Sequence, residues 1–168
     1  MGQPGMASAI WRVISLLGFD MSHQDLSALV GAWRLLSVGI TFSDTRERIE
    51  PYGTRPDGYM VLSQSGRIMF IFGPRDRLPP QNDADAVILF RNLFAYTGMV
   101  KPEGPASFTT SVDYAWTPAW SGDQLRNFKL TDDRLVIRTP EQTSPAYGAR
   151  LIVGDLGWER EHAPSAER

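Results

Sequence analysis

At 168 residues, with 42% hydrophobic and 21% charged side chains, the chain has the size of one domain with a substantial core. A net charge of -2 offers no concentrated basic face to nucleic-acid phosphates, and the absence of cysteine excludes disulfides, thiol nucleophiles and cysteine-ligated zinc. The only histidines, His23 and His162, stand near opposite ends, so no two-histidine metal site within one element and no histidine-based triad is expected.

The first stretch with a pattern is ASAIWRVISLLGF, Ala7 to Phe19, apolar apart from Arg12. Ile10, Val13, Ile14 and Leu17 fall at helical spacing and predict a short amphipathic helix. Residues 1–21 form an N-terminal extension that reads as a segment ahead of the domain, as a lid, or as a homodimer contact. The stretch lacks a basic leader and a clear cleavage site, so no signal peptide is expected and the cytoplasm is the expected location. No apolar run reaches the roughly 18 to 20 residues of a membrane span. The domain itself is expected over residues 22–161, with a tail over 162–168.

Ser22, with Asp25 three residues on, caps a predicted helical turn or two from His23 to Leu29, which ends at Gly31. Trp33 to Val38 follows as a strand, and Arg46 to Glu50 as a short one. GYMVLSQSGRIMFIF, Gly58 to Phe72, reads as a hairpin turning at Ser63-Gln64-Ser65-Gly66. A proline-rich loop, Pro74 to Asp83, ends in the capping residues Asn82 and Asp83. Ala84 to Ala95 then predicts the one substantial helix, with Val87, Leu89, Phe90, Leu93 and Phe94 on a wide apolar face. Strands are predicted at Phe108 to Trp116, Gln124 to Leu130 and Arg134 to Thr139, the last two joined by Thr131 to Asp133. A final strand covers Gly148 to Val153 or Leu156 to Arg160, broken at Gly154.

About eight strands without strand–helix–strand alternation predict an all-β fold. It is a single closed antiparallel β-barrel with one inserted α-helix and a short N-terminal helix. Closure at that number leaves a lumen that side chains fill or that holds one small ligand. Gly-x-Ser-x-Gly, P-loop and Gly-x-Gly-x-x-Gly patterns are all missing, so the common hydrolase, kinase and dehydrogenase readings fail.

Six segments in order resemble the bacterial and fungal lipocalin-like domain family, a calycin-type barrel. They are LVGAWRLLS (Leu29 to Ser37), GYMVLSQSGRIM (Gly58 to Met69), AYTG (Ala95 to Gly98), VDYAWTPAWSGDQLRNFKL (Val112 to Leu130), DRLVIRTP (Asp133 to Pro140) and WER (Trp158 to Arg160). The resemblance implies a barrel with a pocket. It also implies that an arginine of the last strand, here Arg160, lies over the early Trp33 to close the base, with Gly31 letting the chain cross close by. Thr110 stands where many members carry a histidine, so imidazole chemistry has no counterpart there. Asn127 stands where an aromatic is common.

In strand Phe108 to Trp116, period-two alternation puts Thr110, Val112, Tyr114 and Trp116 on the more apolar face, the expected lumen face. There Tyr114 and Trp116 offer flat surfaces with one polar tip each to an apolar ligand, or pack as ordinary core. Asp113 is expected on the outer face. A register shifted by one would turn it inward as a general base. Arg126 shares a face with Phe128 and Leu130 and needs a partner, either a ligand carboxylate or a buried acid such as Asp113 or Glu159. Tyr59 and Tyr96 add phenols near strand or helix ends, Tyr96 at the barrel mouth. The candidate ligand-binding set is therefore Tyr59, Tyr96, Thr110, Tyr114, Trp116 and Arg126, with no catalytic residue, metal or other cofactor assigned. The expected function is binding of a small, largely apolar molecule (polyketide, terpenoid or fatty-acid-like), without nucleic-acid or integral-membrane partners. The alternatives are a cofactor-independent isomerase or cyclase in the same lumen, and a structural protein with a filled barrel.

Overall fold

The computed structural model describes residues 26–162, so the helix expected at Ala7 to Phe19 and the start of the one expected at His23 lie outside the described residues. Leu26–Leu29 forms a single 3-10 turn. Ten strands follow: β1 (Gly31–Phe42), β2 (Arg48–Ile49), β3 (Pro56–Leu62), β4 (Arg67–Pro74), β5 (Phe94–Gly104), β6 (Ser107–Ala115), β7 (Gly122–Thr131), β8 (Arg134–Arg138), β9 (Gln142–Ser144) and β10 (Gly148–Arg160). Eight of them run around a ring in the order β1-β3-β4-β5-β6-β7-β8-β10, and β10 pairs back onto β1. Every pairing is antiparallel, so the sheet is a closed barrel without a free edge in the ring. The short β2 and β9 attach to β1 and β10 outside it.

The strand Pro56–Leu62 alternates strictly as part of the barrel wall. Pro56, Gly58, Met60 and Leu62 face inward and are buried, while Asp57, Tyr59 and Val61 face outward. At one end the strands carry large, fully enclosed side chains, among them Trp33, Met60, Phe108, Phe128, Leu135 and Trp158. That end is the packed base, where strands meet through the short turns at residues 63–66, 105–106 and 132–133. The opposite end carries the long connections at residues 43–55, 75–93, 116–121 and 139–147.

Trp33 is the centre of the base. Its ring nitrogen donates to the Leu29 carbonyl at 2.9 Å, and the Arg160 guanidinium lies 4.1 Å from the ring centre. Arg160 also donates to the carbonyls of Val30 (3.1 Å) and Ala28 (2.7 Å) and pairs with Asp133 at 3.3 Å. Gly31 has φ of +132°, and a Cβ there would stand 3.3 Å from the Arg160 guanidinium. The glycine two residues before the tryptophan thus leaves the space through which the arginine reaches the 3-10 turn.

Three expectations change. The helix runs over Asp83–Arg91, capped by the Asn82 side chain accepting from the Asp85 amide at 2.9 Å. Phe94 and Ala95, expected at its end, belong to β5, where they pair with Phe72 and Ile71. None of its residues is buried, and Val87, Ile88 and Phe90 are about half exposed, so its apolar residues do not enter the core. The last strand is continuous from Gly148 to Arg160 rather than broken at Gly154. Among the described residues, no helix is long and apolar enough to cross a membrane.

Arg160→Met keeps an apolar stem over Trp33 but removes the cation and its carbonyl contacts. Urea unfolding is expected to show a loss of about 2 to 4 kcal/mol. A loss below about 0.5 kcal/mol would mean that the base holds without this contact.

Candidate functional site

The upper half of the barrel encloses a cavity of about 570 Å³ that reaches the end with the long connections. Its wall is largely aromatic. Phe72 stacks on Phe94 at 4.5 Å, Trp120 meets Phe94 edge-on at 5.1 Å, and Tyr52 meets Phe72 edge-on at 5.8 Å. Lower down, Phe70 and Tyr96 lie 5.0 Å apart. Val38, Ile137 and Ile152 complete the apolar wall from β1, β8 and β10. The strand residues among them, Val38, Phe70, Phe72, Phe94, Tyr96, Ile137 and Ile152, face inward because their strands alternate, so the period that builds the barrel also lines much of the cavity.

Among the described residues the lining holds two cations, Arg91 at the mouth and Arg126 in β7, and no carboxylate. Arg126 is 4% exposed. It donates to the Leu125 carbonyl at 2.7 Å and to the Gln124 side-chain oxygen at 3.1 Å. Neither candidate acid partner is available to it. Asp113 is held outside the barrel by Arg67 through two contacts of 3.0 and 2.8 Å, and Glu159 is paired outside with Arg34 and Arg134. The Arg67 contact holds the Asp113 carboxyl below its ordinary value, and the inward-facing general base considered from the sequence is therefore absent.

Tyr96 lies beside Arg126 and is almost wholly enclosed. Burial pushes its phenol up, against the opposing pull of the Arg126 charge and of contacts with the Arg126 guanidinium and the Thr110 hydroxyl. Thr110 adjoins this pair from the inward face of β6, fully buried but not among the residues that line the cavity. It influences the phenol, yet its hydroxyl makes no well-formed hydrogen bond among the described residues.

The other candidates lie elsewhere. Tyr59 is on the outward face of β3 and 41% exposed. Tyr114, expected in the lumen, is 75% exposed. The reason is a bulge in β6: Gly98 pairs with Val112 and Thr97 with Tyr114, leaving Asp113 as an extra residue. The bulge reverses the alternation, so Val112 points inward while both Asp113 and Tyr114 point out. Gly98 permits it, because a Cβ there would collide with the Ser111 carbonyl. Trp116 follows the strand and serves the helix. Its ring nitrogen donates to the Phe90 carbonyl at 3.0 Å, and its ring lies 5.0 Å from that of Phe90.

Sequence reasoning missed Tyr52, Trp120 and Tyr147 as lining residues. All three sit in connections over the mouth, where no strand period marks an inward position. Burial, with the neighbouring Tyr147, pushes the Tyr52 phenol up to about 12. Among the described residues, no group of three or more His, Asp or Glu side chains is placed to hold a metal ion.

The family signature described as a lipocalin-like domain matches residues 30–160. No curated protein sequence matches the chain. Among solved structures, a redesigned β-barrel is similar at 14% identity, over 81% of this chain and 94% of that one, with a TM-score of 0.40.

The raised Tyr52 value has a direct consequence in alkali. An unfolded tyrosine ionises near pH 10, and the folded one near 12, so folding is favoured by the neutral phenol below pH 10. That contribution is lost as pH rises from about 10 to 12. Tyr52→Phe is expected to make stability fall less steeply across this window, measured as urea midpoints between pH 9 and 11.5. Equal slopes would mean that Tyr52 is not enclosed.

Proposed function

The chain belongs to the lipocalin-like domain family, and from that membership and its lumen we propose that it binds a small, largely apolar molecule inside the barrel. The observation that carries this reading is the cavity of about 570 Å³ with its aromatic and aliphatic wall. A volume of this order suits a ligand of drug-like or lipid-like size, and apolar lining with a few polar groups is the usual composition of such sites. Polyketide, terpenoid and fatty-acid-like molecules share that chemistry. The packed base supports the reading from the other side. Trp33, Phe108, Phe128 and Trp158 fill the lower half, so the upper half is not simply the general looseness of a wide barrel.

A catalytic reading draws on one further observation. Tyr96 and Arg126 put a protonated phenol and a cation side by side in an enclosed site. Two such donors favour negative charge that develops on a bound substrate, which is what a cofactor-independent isomerase or cyclase requires. Tyr96→Phe separates the two readings. A carrier keeps its ligand within a few-fold in affinity, whereas an enzyme keeps the ligand and loses turnover by orders of magnitude.

The test is mass spectrometry of the purified protein, first native and then denatured with organic extraction. One small molecule released per chain is the expected result, either as purified or after incubation with a lipid and polyketide extract. Val38→Trp, which drives an indole into the lumen, is expected to reduce that occupancy at least about tenfold. A bare chain under every condition would overturn the proposal.

A further inference from the structure

We propose that the lumen selects molecules with a carboxylate or similar oxyanion, which docks on Arg126 with Tyr96 beside it. This deepens the lumen-binding reading above and rests on it. A guanidinium that is 4% exposed has lost most of its water. An isolated charge in that position is costly unless an opposite charge or a full set of acceptors replaces the solvent. Here the protein supplies only neutral groups, the Leu125 carbonyl, the Gln124 amide oxygen and the Tyr96 phenol beside it. Among the described residues, no carboxylate pairs with Arg126.

The missing acid is not for want of acids in the strands. Asp113, Asp155 and Glu159 all stand on the barrel, and each is paired with an arginine on the outside. Among the described residues the lining contains two arginines and no acid, so the electrostatic complement of the cavity is an anion. The groups around Arg126 define the anion further. Arginine donates only, and a tyrosine kept in its protonated form has a hydrogen to give. Two neighbouring donors match a group that only accepts, and a planar carboxylate matches the guanidinium fork. Tyr96 and Phe70 lie together on the wall, 5.0 Å apart, so the apolar part of such a ligand finds aromatic surface next to its head group.

The experiment compares decanoate with 1-decanol, which share a chain and differ in the head group. Both are titrated by calorimetry into the unmodified protein and into Arg126→Gln and Arg126→Lys. The unmodified protein is expected to bind decanoate about 10- to 100-fold more tightly than 1-decanol, the range of a charge-assisted contact. Arg126→Gln is expected to remove that preference and leave 1-decanol within about threefold. Arg126→Lys keeps the charge without the fork and is expected to fall between. If both probes bind the unmodified protein equally, the anion inference fails while the lumen reading stands. If neither binds, this inference fails, and the extraction experiment above decides the lumen reading separately. Thermal melts of both variants report whether they fold. If Arg126→Gln does not, the acid-over-alcohol ratio of the unmodified protein still decides the question. A folded Arg126→Gln that weakens both probes alike would assign Arg126 to the wall's structure and overturn the proposal.

Discussion

The Arg160 guanidinium over the Trp33 ring joins the last strand of the barrel to the first. A closed sheet must be sealed where its two terminal strands meet, and this contact sits at the lower end of that seam. The same guanidinium ties in the 3-10 turn through two carbonyls and the β7–β8 turn through Asp133. Three regions remote in sequence, residues 28–33, the β7–β8 turn and the end of β10, therefore meet at one side chain. Because the arginine is spread over an indole and two carbonyls, its charge is satisfied without a deeply buried acid. The base can then be filled by large rings.

Filling the base is what leaves the mouth open. The barrel has one circumference, but its inward residues change along its height. Near the base, Trp33, Trp158, Phe108 and Phe128 occupy the cross-section. Towards the mouth, the opposed positions on β1, β8 and β10 are Val38, Ile137 and Ile152, which are smaller. The aromatic residues of β4 and β5 there stack against one another, as Phe72 does on Phe94, instead of filling the centre. The connections follow the same division: tight turns at the base, and at the mouth segments long enough to hold a helix or bring tyrosines inward.

Much of this fold is legible in the sequence, and the legible part has a common property. Tyr59–Leu62 and Ile68–Phe72 are apolar runs on either side of a Ser- and Gly-containing tight turn, so local pattern and tertiary pairing agree. Gly31, Trp33 and Arg160 are recognisable because a resemblance to known barrels gives their spacing a meaning. The strand Phe94–Gly104 was hidden for a physical reason. The helical pattern of the preceding segment runs on through Phe94, while Gly98 and Pro102 are poor strand residues. Pairing with β4 and β6 overrides both signals. The bulge at Asp113 was hidden more deeply. A period-two reading cannot contain an extra residue, and one is enough to carry Tyr114 from lumen to solvent. Arg126 escaped that error because β6 and β7 pair without interruption around it, whereas Tyr96 is marked by its place after the predicted helix and not by a strand period.

Composition concealed the sign of the lumen. An excess of two acids over bases suggests a slightly negative molecule throughout. Yet the acids lie outside, where arginines pair with them: Asp44 with Arg150, Asp113 with Arg67, Asp155 with Arg48 and Arg138. Such exposed pairs contribute little to stability individually. Their larger effect is on what remains inside. An arginine on an outward position finds an acid across the strand, whereas Arg126, on an inward position, finds only apolar neighbours and neutral acceptors. Face alternation, which sorts apolar from polar residues, has here also sorted paired charge from unpaired charge. A net negative chain thus encloses a cavity whose buried charge, among the described residues, is positive, and the place of Arg126 in it follows from register.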